Sequence, residues 1–464
     1  MEPSVALPFP YYLCVAAVLI LLWKGWQARE QAWGIPFMAV AATAGALYLI
    51  DPIYNDYGTY IQEFGSDILT EAFWEILLFF VSLWLLTPEV NRRVNGNLPE
   101  NQSQIFRMIA DSEIETPQFQ DQVAALAKAI LIAWCVLMVL ALFRVKFDFI
   151  GLFFPYLGEK VSPWGRDRIG TGIDALYALA GYIQLMLIAL FGVTLALSLR
   201  VSTMLISGVG YFLAAPAILF DRTRSSMLAI LLPGLMALVT MRIRGGVAIR
   251  LAVLVVSFLA IESWMKFVIE NRSTASISEA FKTGGTKDAE VKAKHHEGFN
   301  MFEELGYINY FIQHGTYKVN WGTRYFAEIV NPIPRVLWPG KPMIGIDYAI
   351  ARGMGYGEQG AKSGGVAASI STGMIGQGLV NFGRILGPVA SAFLMAIWIA
   401  LLARQDLLGR DLGHLLLYAI GLVLTYNMGR DITLLVAYPF LFGWILLSLM
   451  NRKKEPIATM IHEA

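Results

Sequence analysis

The hydrophobic residues of this chain lie in long runs that are separated by polar connections. Runs of about 18 or more residues with few or no charges are long enough to cross the hydrocarbon core of a bilayer as helices. We predict spans at 9–23, 33–50, 73–88, 123–143, 173–199, 201–220, 227–241, 248–264, 386–403, 414–429 and 432–450. A further apolar segment, 366–382, is ambiguous. The pattern predicts an all-α polytopic membrane protein with about 11–12 transmembrane helices.

The composition agrees with this class. Of the 464 residues, 56% are hydrophobic and 15% are charged, whereas about 25% of the residues in soluble domains are charged. The formal net charge of +1 gives no indication of a nucleic-acid partner. Cys14 and Cys135 both fall in predicted spans, where we expect small buried side chains rather than a disulfide or a metal site. No basic segment or cleavage site precedes the first span, which favours a retained helix over a signal peptide.

The positions of lysine and arginine predict the orientation of the chain, because cytoplasmic connections carry an excess of both. Alternate connections contain Lys24 and Arg29, then Arg92 and Arg93, then Arg200, then Arg242, Arg244 and Arg250. We place these connections and the terminal NRKK, 451–454, in the cytoplasm. If 366–382 crossed the membrane, NRKK would lie outside. The cytoplasmic position of NRKK therefore favours eleven spans, with 366–382 re-entrant or at the outer surface. If 366–382 does cross, an additional span within 301–316 would return NRKK to the cytoplasm.

This topology divides the chain into three regions. Residues 1–264 form the first eight transmembrane helices. Residues 265–385 form a long outer loop with an amphipathic helix, a proline-rich elbow and the re-entrant or surface helix. Residues 386–464 form the C-terminal transmembrane helices and a cytoplasmic tail. The inverted repeats that are typical of secondary transporters are not evident.

Three arginines lie on the side that the charge rule disfavours. DRTRSS places Arg222 and Arg224 at the outer ends of two spans, and YNMGRD places Arg430 beside Asp431. Each arginine could pair with a neighbouring aspartate or reach lipid phosphates. The alternative is an anion site, because a guanidinium donates two parallel hydrogen bonds to a phosphate and stays charged. Other groups that could join such a site are Asp174, Asp221, Glu262, Arg324, Arg335 and Arg352.

The long loop begins its apolar part with FNMFEELGYINYFIQHG, residues 299–315. This segment places Phe302, Leu305, Ile308 and Ile312 on one helical stripe. The spacing predicts a helix that packs on the membrane helices or lies at the interface.

The proline-rich elbow NPIPRVLWPGKP, residues 331–342, follows. Each proline fixes its own φ and restricts the residue before it, so the elbow should be rigid. It is either a structural turn or an arm that holds Arg335 and Lys341 at an anion, with Trp338 beside them.

A glycine-rich run, 353–365, leads into VAASISTGMIGQGLVNFG. Glycines before a helix start can present backbone N–H groups to phosphate, and Ser369, Ser371 and Thr372 would add hydroxyl groups. A flexible lid or a helix cap explains the same residues.

The sequence offers two candidates for a general base, His296 and the carboxylate of Glu303. HHE at 295–297 lacks further ligands at a spacing typical of a metal site. We find no phosphate-binding loop, dinucleotide fingerprint or nucleophile elbow, and no clustered acidic motif of a metal–nucleotide transferase. Without a nucleotide motif, an extracytoplasmic transferase would most naturally use a lipid-diphosphate donor.

In ordered pieces over roughly 215–450, the chain resembles the Wzy-type oligosaccharide repeat-unit polymerases, in particular the enterobacterial common antigen branch. The pieces are the TR turn at Thr223 and Arg224, the aromatic helix with Glu303, the elbow IPRVLWPGKP, the Ser/Thr-Gly helix followed by NFG, and YNMGRD. The elbow is the most specific of them. The segment around 282–298 has no counterpart in the family pattern.

The resemblance implies an architecture similar to C-type glycosyltransferases and O-antigen ligases, in the bacterial inner membrane with a periplasmic active site. It implies an inverting transferase that needs no metal or other cofactor. Donor and acceptor would be oligosaccharides linked to undecaprenyl diphosphate, and a chain-length-regulating co-polymerase is a further partner. Arg224, Arg335 and Arg430 match the family's recurrent basic positions, and Glu303 matches its glutamate.

Three other functions fit the same sequence, and one of them is an inactive scaffold in a polysaccharide export assembly, which would tolerate loss of the arginines. An O-antigen ligase would carry out the same chemistry on lipid A core. A transporter or flippase for lipid-linked sugar would instead require ionisable groups at mid-membrane, where Gln184 is the clearest polar residue.

Overall fold

The computed structural model describes residues 6–96, 102–104, 113–154, 161–164, 172–219, 224–243, 246–270, 301–330, 333, 337–342, 348, 351, 371–408 and 412–452, for some of them the backbone alone. These residues are 83% helical, and none of them forms a strand. Seven of the described helices are long and apolar enough to cross a membrane. The chain is therefore an all-α, multi-pass membrane protein. Each of the eleven predicted spans lies on helical residues. Seven of these spans fall on the long apolar helices, and membrane crossing by the other four stays a prediction.

The described residues group into two compact units. Unit 1 contains Met1–Phe106, Arg168–Ala175 and Phe299–Ala464. Its helices are α1 (Phe9–Gln27), α2 (Gly34–Leu49), α3 (Asp51–Tyr54), α4 (Tyr57–Phe64), α5 (Ser66–Asn95), α13 (Met301–Gln313), α14 (Thr323–Val330), α15 (Met374–Leu407), α16 (Leu412–Arg430) and α17 (Leu434–Arg452).

Unit 2 contains Arg107–Asp167 and Leu176–Gly298. Its helices are α6 (Pro117–Arg144), α7 (Phe149–Phe153), α8 (Gly172–Leu197), α9 (Val201–Ala214), α10 (Pro216–Leu219), α11 (Arg224–Ala237) and α12 (Val247–Glu270), and the first residues of α8 belong to unit 1. A π-helical turn, Leu238–Arg242, follows α11. Within this unit Gln184 accepts a hydrogen bond from the Trp164 indole at 2.6 Å.

The core of unit 1 is built on α5, which packs along the later part of α15. The Asn95 amide donates to the carbonyl of Ala400 at 2.9 Å, and Arg404 donates to the carbonyl of Val94 at 3.2 Å. The ends of the two helices are therefore fixed to each other by hydrogen bonds as well as by buried apolar side chains. At 30 residues, α5 is about 45 Å long, which exceeds the roughly 30 Å of hydrocarbon in a bilayer.

α15 is two helices joined by a sharp turn at Gly383. The φ and ψ of this residue are 76° and −174°, a combination that is essentially restricted to glycine. The Ser391 hydroxyl donates to the carbonyl of Met374 at 2.7 Å, and a Cβ on Gly378 would lie 2.2 Å from the Gly387 carbonyl oxygen. Both pairs are symmetric about the turn, so the two segments run antiparallel and in contact.

The first segment of this hairpin, 374–382, is a half-helix of about 13 Å. That length is too short to cross a bilayer. Met374, the first residue of the half-helix, lies beside Ser391 of the segment after the turn. Ser391 is about 10 Å from the turn along the axis of that segment. The start of the half-helix is therefore recessed within unit 1, and the predicted segment 366–382 enters this hairpin rather than a continuous span.

α13 packs in the interior of unit 1. Phe302, Leu305 and Ile308 of the predicted stripe are fully buried, and Phe302 stacks on Phe73 of α5 with ring centroids 4.5 Å apart. Glu303 is also buried. The sequence pattern predicts burial of the apolar face of α13 alone, whereas in its first turns the polar face that carries Glu303 is buried as well.

Candidate functional site

Polar side chains gather around Asp431, in the connection between α16 and α17. The backbone N–H and the hydroxyl of Thr372 donate to Asp431 Oδ1 at 3.1 and 3.2 Å. Arg324 Nη2 of α14 lies 3.9 Å from the same oxygen. One carboxylate thus caps the start of the half-helix and faces a buried guanidinium. We call Arg324, Thr372, Gln377 and Asp431 the Asp431 cluster.

Arg324 is only 5% exposed, yet much of its guanidinium is unused. Nε and Nη1 have no hydrogen-bond partner among the residues that the structure describes. These two atoms carry three of the five N–H donors of the side chain. A buried charged donor without an acceptor is unfavourable by more than the 1–3 kcal/mol that is typical of a neutral group. The free edge of Arg324 is therefore suited to an anion.

Gln377 adds a second unused donor to the cluster. Its side-chain oxygen accepts a hydrogen bond from the backbone N–H of Ile432 at 2.7 Å. Its amide nitrogen is fully buried and has no partner in the described part of the chain. Gln377 and Arg324 thus contact consecutive residues, Ile432 and Asp431, and both retain N–H groups for an acceptor.

The start of the half-helix is held by α2. The Tyr48 hydroxyl accepts a hydrogen bond from the N–H of Ile375 at 2.9 Å. Gly373, the N-cap, has a φ of 76°, and a Cβ there would lie 2.1 Å from the Tyr48 oxygen. Tyr48 therefore occupies an N–H group in the first turn of the half-helix, and Asp431 occupies the N–H of Thr372, just before the N-cap. The free edge of Arg324 is the site for a ligand.

The electrostatic state of the cluster depends on Asp431. Burial raises the pKa of this carboxyl, while the charge of Arg324 and hydrogen bonds from Ser371 and Thr372 oppose the shift. Arg430, which immediately precedes Asp431, opposes it as well. Burial also raises the pKa of Tyr325, which keeps that phenol neutral. Two arginines thus share one carboxylate, and protonation of Asp431 would increase the net positive charge of the cluster.

A second carboxylate, Asp51 of α3, fixes the start of α13. Asp51 Oδ2 accepts hydrogen bonds from the N–H groups of Phe302 and Glu303 at 2.8 and 3.1 Å. Its Oδ1 accepts from Asn55 at 2.7 Å and from the Tyr60 hydroxyl at 2.9 Å. A negative charge at a helix N-terminus is favourable, because it binds unpaired N–H groups and opposes the helix dipole. Asp51 thereby determines the position of the Glu303 backbone.

The starts of α13 and of the half-helix lie next to each other. A Cβ on Gly373 would be 3.2 Å from the sulfur of Met301. The neighbouring Glu304 accepts a hydrogen bond from the buried Tyr348 hydroxyl at 2.6 Å. Unit 1 therefore brings the predicted acidic residue Glu303 and the Asp431 cluster to adjacent helix ends.

Besides Glu303, five predicted site residues in unit 1 are described with their side chains, and four of them are polar or charged. Ser371 and Thr372 bind Asp431, and Arg430 is half-buried beside it. Lys341 is buried, and its ammonium donates to the carbonyl of Ile333 at 2.7 Å. This contact joins the two ends of the elbow, and any contact of Lys341 with substrate stays a prediction.

The remaining predicted residues are less closely defined. Trp338 is partly exposed and meets the Phe326 ring edge-to-face at 6.3 Å. Arg224 begins α11 of unit 2, and only its backbone is described. The other predicted residues lie outside the described part of the chain: Arg222, His296, Arg335 and Ser369.

Sequence reasoning did not single out Asp51, Tyr48 or Gln377, and it named Arg324 only among several loop arginines. The available signal for Asp51 was an aspartate directly after an apolar run. For Gln377 it was a polar residue inside the apolar segment 366–382. Each of these acquires its role from a contact with a residue distant in sequence, which local patterns do not specify.

Comparisons of the chain with protein-family models, curated proteins and solved structures give no match. The Asp431 cluster and its neighbours therefore provide the basis for assigning a function to this protein.

Proposed function

We propose that the protein is a membrane glycosyltransferase that polymerises oligosaccharide repeat units linked to undecaprenyl diphosphate. The observation that carries the proposal is the buried guanidinium of Arg324, whose Nε and Nη1 groups have no acceptor among the residues that the structure describes. In this proposal they bind the donor diphosphate. The motif resemblance, including Glu303 and YNMGRD, supports the same assignment, with a C-type transferase architecture in the inner membrane and a periplasmic active site.

The chemistry requires positive charge where the leaving group forms. The acceptor hydroxyl oxygen bonds to the anomeric carbon of the donor as the bond from that carbon to the diphosphate oxygen breaks. The bonding electron pair leaves with undecaprenyl diphosphate. Arg324, with Arg430 nearby, would stabilise this charge, and preorganised donors of this kind are worth about 10²–10³ in rate each.

The hydroxyl proton must pass to a base. Glu303 and His296 are the candidates, and a base within hydrogen-bond reach of the hydroxyl contributes typically 10²–10⁴ in rate. Asp51 supports the choice of Glu303, because it fixes the backbone of that residue with a direct hydrogen bond. The product is a longer glycan on one lipid and free undecaprenyl diphosphate from the other.

A second candidate function is transport of the lipid-linked sugar. The half-helix 374–382 favours it, because broken helices whose N-termini face an anionic substrate group are common in secondary transporters. An O-antigen ligase would share the transferase chemistry and differ in the acceptor. The test must therefore distinguish a longer glycan, transfer to lipid A core, and movement of an unchanged lipid.

The test uses the full-length protein in nanodiscs with a lipid-diphosphate repeat unit and EDTA. We expect a ladder of longer glycans, with the rate reduced about 100-fold or more in Arg324→Gln. Arg92→Gln is the matched control, because Arg92 is an exposed arginine in the last turn of α5 that pairs with Glu89.

Three outcomes would contradict the proposal. Transfer to lipid A core alone would identify a ligase. An unchanged lipid that crosses the bilayer in liposomes would identify a transporter. If Arg324→Gln and Arg92→Gln polymerise equally well, Arg324 does not bind the leaving group.

A further inference from the structure

A second buried polar pair lies apart from the Asp431 cluster, between α5 and α13. Glu75 is 5% exposed and Asn309 is fully buried. The Asn309 amide nitrogen donates to Glu75 Oε2 at 2.7 Å. The other oxygen of each side chain, Glu75 Oε1 and Asn309 Oδ1, has no donor in the described part of the chain.

Each of these two oxygens lacks a hydrogen-bond donor among the described residues. Both are acceptors when Glu75 is a carboxylate, so neither can satisfy the other. Exchanging the amide oxygen and nitrogen of Asn309 does not help, because it would remove the existing bond to Oε2. A single proton on Oε1 would supply a donor, and a hydrogen bond from it to Asn309 Oδ1 would complete a cyclic acid–amide pair.

The surrounding charges agree with a neutral Glu75. Arg384 Nη1 lies 2.6 Å from Oε2 of Glu71, one helical turn before Glu75. Arg384 Nε and Nη2 have no partner among the described residues, although this arginine is close enough to interact electrostatically with Glu75. An ionised Glu75 would be expected to attract these groups, whereas a neutral acid leaves Arg384 to Glu71. Glu71 and Arg384 are the charged groups that face the pair.

We propose that Glu75 is a proton-binding site, in which the carboxylic acid donates from Oε1 to Asn309 Oδ1 and accepts from the Asn309 amide at Oε2. Ionisable residues inside an apolar span are costly when charged. The neutral pair removes this cost and joins α13, which also carries Glu303, to α5. The site is independent of the proposed transferase function.

The test compares Glu75→Gln with Glu75→Ala and Glu71→Gln in nanodiscs. Glutamine can form both hydrogen bonds of the cyclic pair, so Glu75→Gln should keep the wild-type melting temperature, while Glu75→Ala should lower it by several degrees. The infrared difference spectrum of wild type minus Glu75→Gln at neutral pH should show a protonated carboxyl C=O band. Glu71→Gln, the matched control, should leave that band unchanged.

Three results would overturn the inference. If Glu75→Gln is as unstable as Glu75→Ala, the negative charge is required. If the carboxyl band is absent at neutral pH, Glu75 is ionised. If the melting temperature of the wild type rises with sodium while that of Glu75→Gln does not, the pair binds a cation instead of a proton.

Discussion

At the scale of single residues, Asp431 controls how much positive charge Arg324 presents to a ligand. The pKa of Asp431 is raised by burial, so the carboxyl takes up a proton at a higher pH than an ordinary aspartate. Protonation removes the counter-charge of Arg324 and Arg430. Anion affinity should therefore rise as the pH falls through the pKa of Asp431. Other carboxylates near the cluster are the buried Glu328 of α14 and the buried Glu303 and Glu304 of α13.

Sulfate is a suitable probe, because its charge does not change over this range. We expect the sulfate affinity of the wild type, measured by calorimetry in nanodiscs, to increase several-fold as the pH falls through the raised pKa of Asp431. Asp431→Asn should bind sulfate with little dependence on pH, and Arg324→Gln should bind it weakly throughout. A wild-type affinity that falls on acidification would contradict this account.

Asp51 supports a second residue-scale prediction. Its carboxylate accepts four hydrogen bonds, two of them from the start of α13. Asparagine removes the charge and one acceptor, which leaves buried N–H groups unpaired, so Asp51→Asn should destabilise the fold by about 2–3 kcal/mol or more.

Denaturation in mixed detergent micelles measures this loss, and Asp56→Asn is the control. Asp56 also caps a helix, by accepting from Gly58 at 3.1 Å, but it does so at the surface. Its replacement should cost about 1 kcal/mol or less. Equal losses for both variants would show that the burial of Asp51 has no special role.

At the scale of elements, the hairpin in α15 depends on Gly383. An alanine there would have adequate space, since a Val319 methyl would lie 3.7 Å from its Cβ, an ordinary van der Waals contact. The cost is instead backbone strain of about 1–3 kcal/mol at φ 76°. We expect Gly383→Ala to lower the melting temperature and to weaken sulfate binding, because the half-helix carries Gln377. Gly340→Ala, with no atom near its Cβ, should change neither.

The positions of the helices could be predicted from the sequence, whereas the hairpin and the buried polar pairs could not. Apolar runs of sufficient length form helices regardless of their neighbours, which is why all eleven predicted spans fall on helices. The hairpin is different, because Asn381 and Arg384 beside Gly383 mark a break in the apolar run but do not specify that the two segments fold back antiparallel and in contact. Asn309 and Glu75 are 234 residues apart, and Phe302 and Asp51 are 251 apart. Such pairs form when helices distant in sequence pack together, so the hydrophobic periodicity within one segment does not predict them.

At the scale of the whole molecule, the function depends on which side of the membrane the Asp431 cluster faces. α5 is about 45 Å long, which exceeds the roughly 30 Å hydrocarbon core of a bilayer. Its last turn carries Arg92 and Arg93, which the charge rule places in the cytoplasm. Asp56, which precedes the other end of α5, is exposed and should lie outside.

Single cysteines test this orientation in a Cys135→Ser background, since Cys135 is exposed and Cys14 is buried. In spheroplasts, an impermeant maleimide should label Asp56→Cys directly and Arg92→Cys only after permeabilisation. The reverse pattern would place the first turn of α5 in the cytoplasm. The start of α13, which Asp51 binds close to that end, would then face cytoplasmic substrates, and a periplasmic polymerase would be wrong even if Arg324 binds anions. The expected pattern would place the start of α13 outside the cytoplasm. A lipid-diphosphate donor is the substrate class that fits that location, because its activated glycosyl–diphosphate bond is carried across the membrane with the lipid.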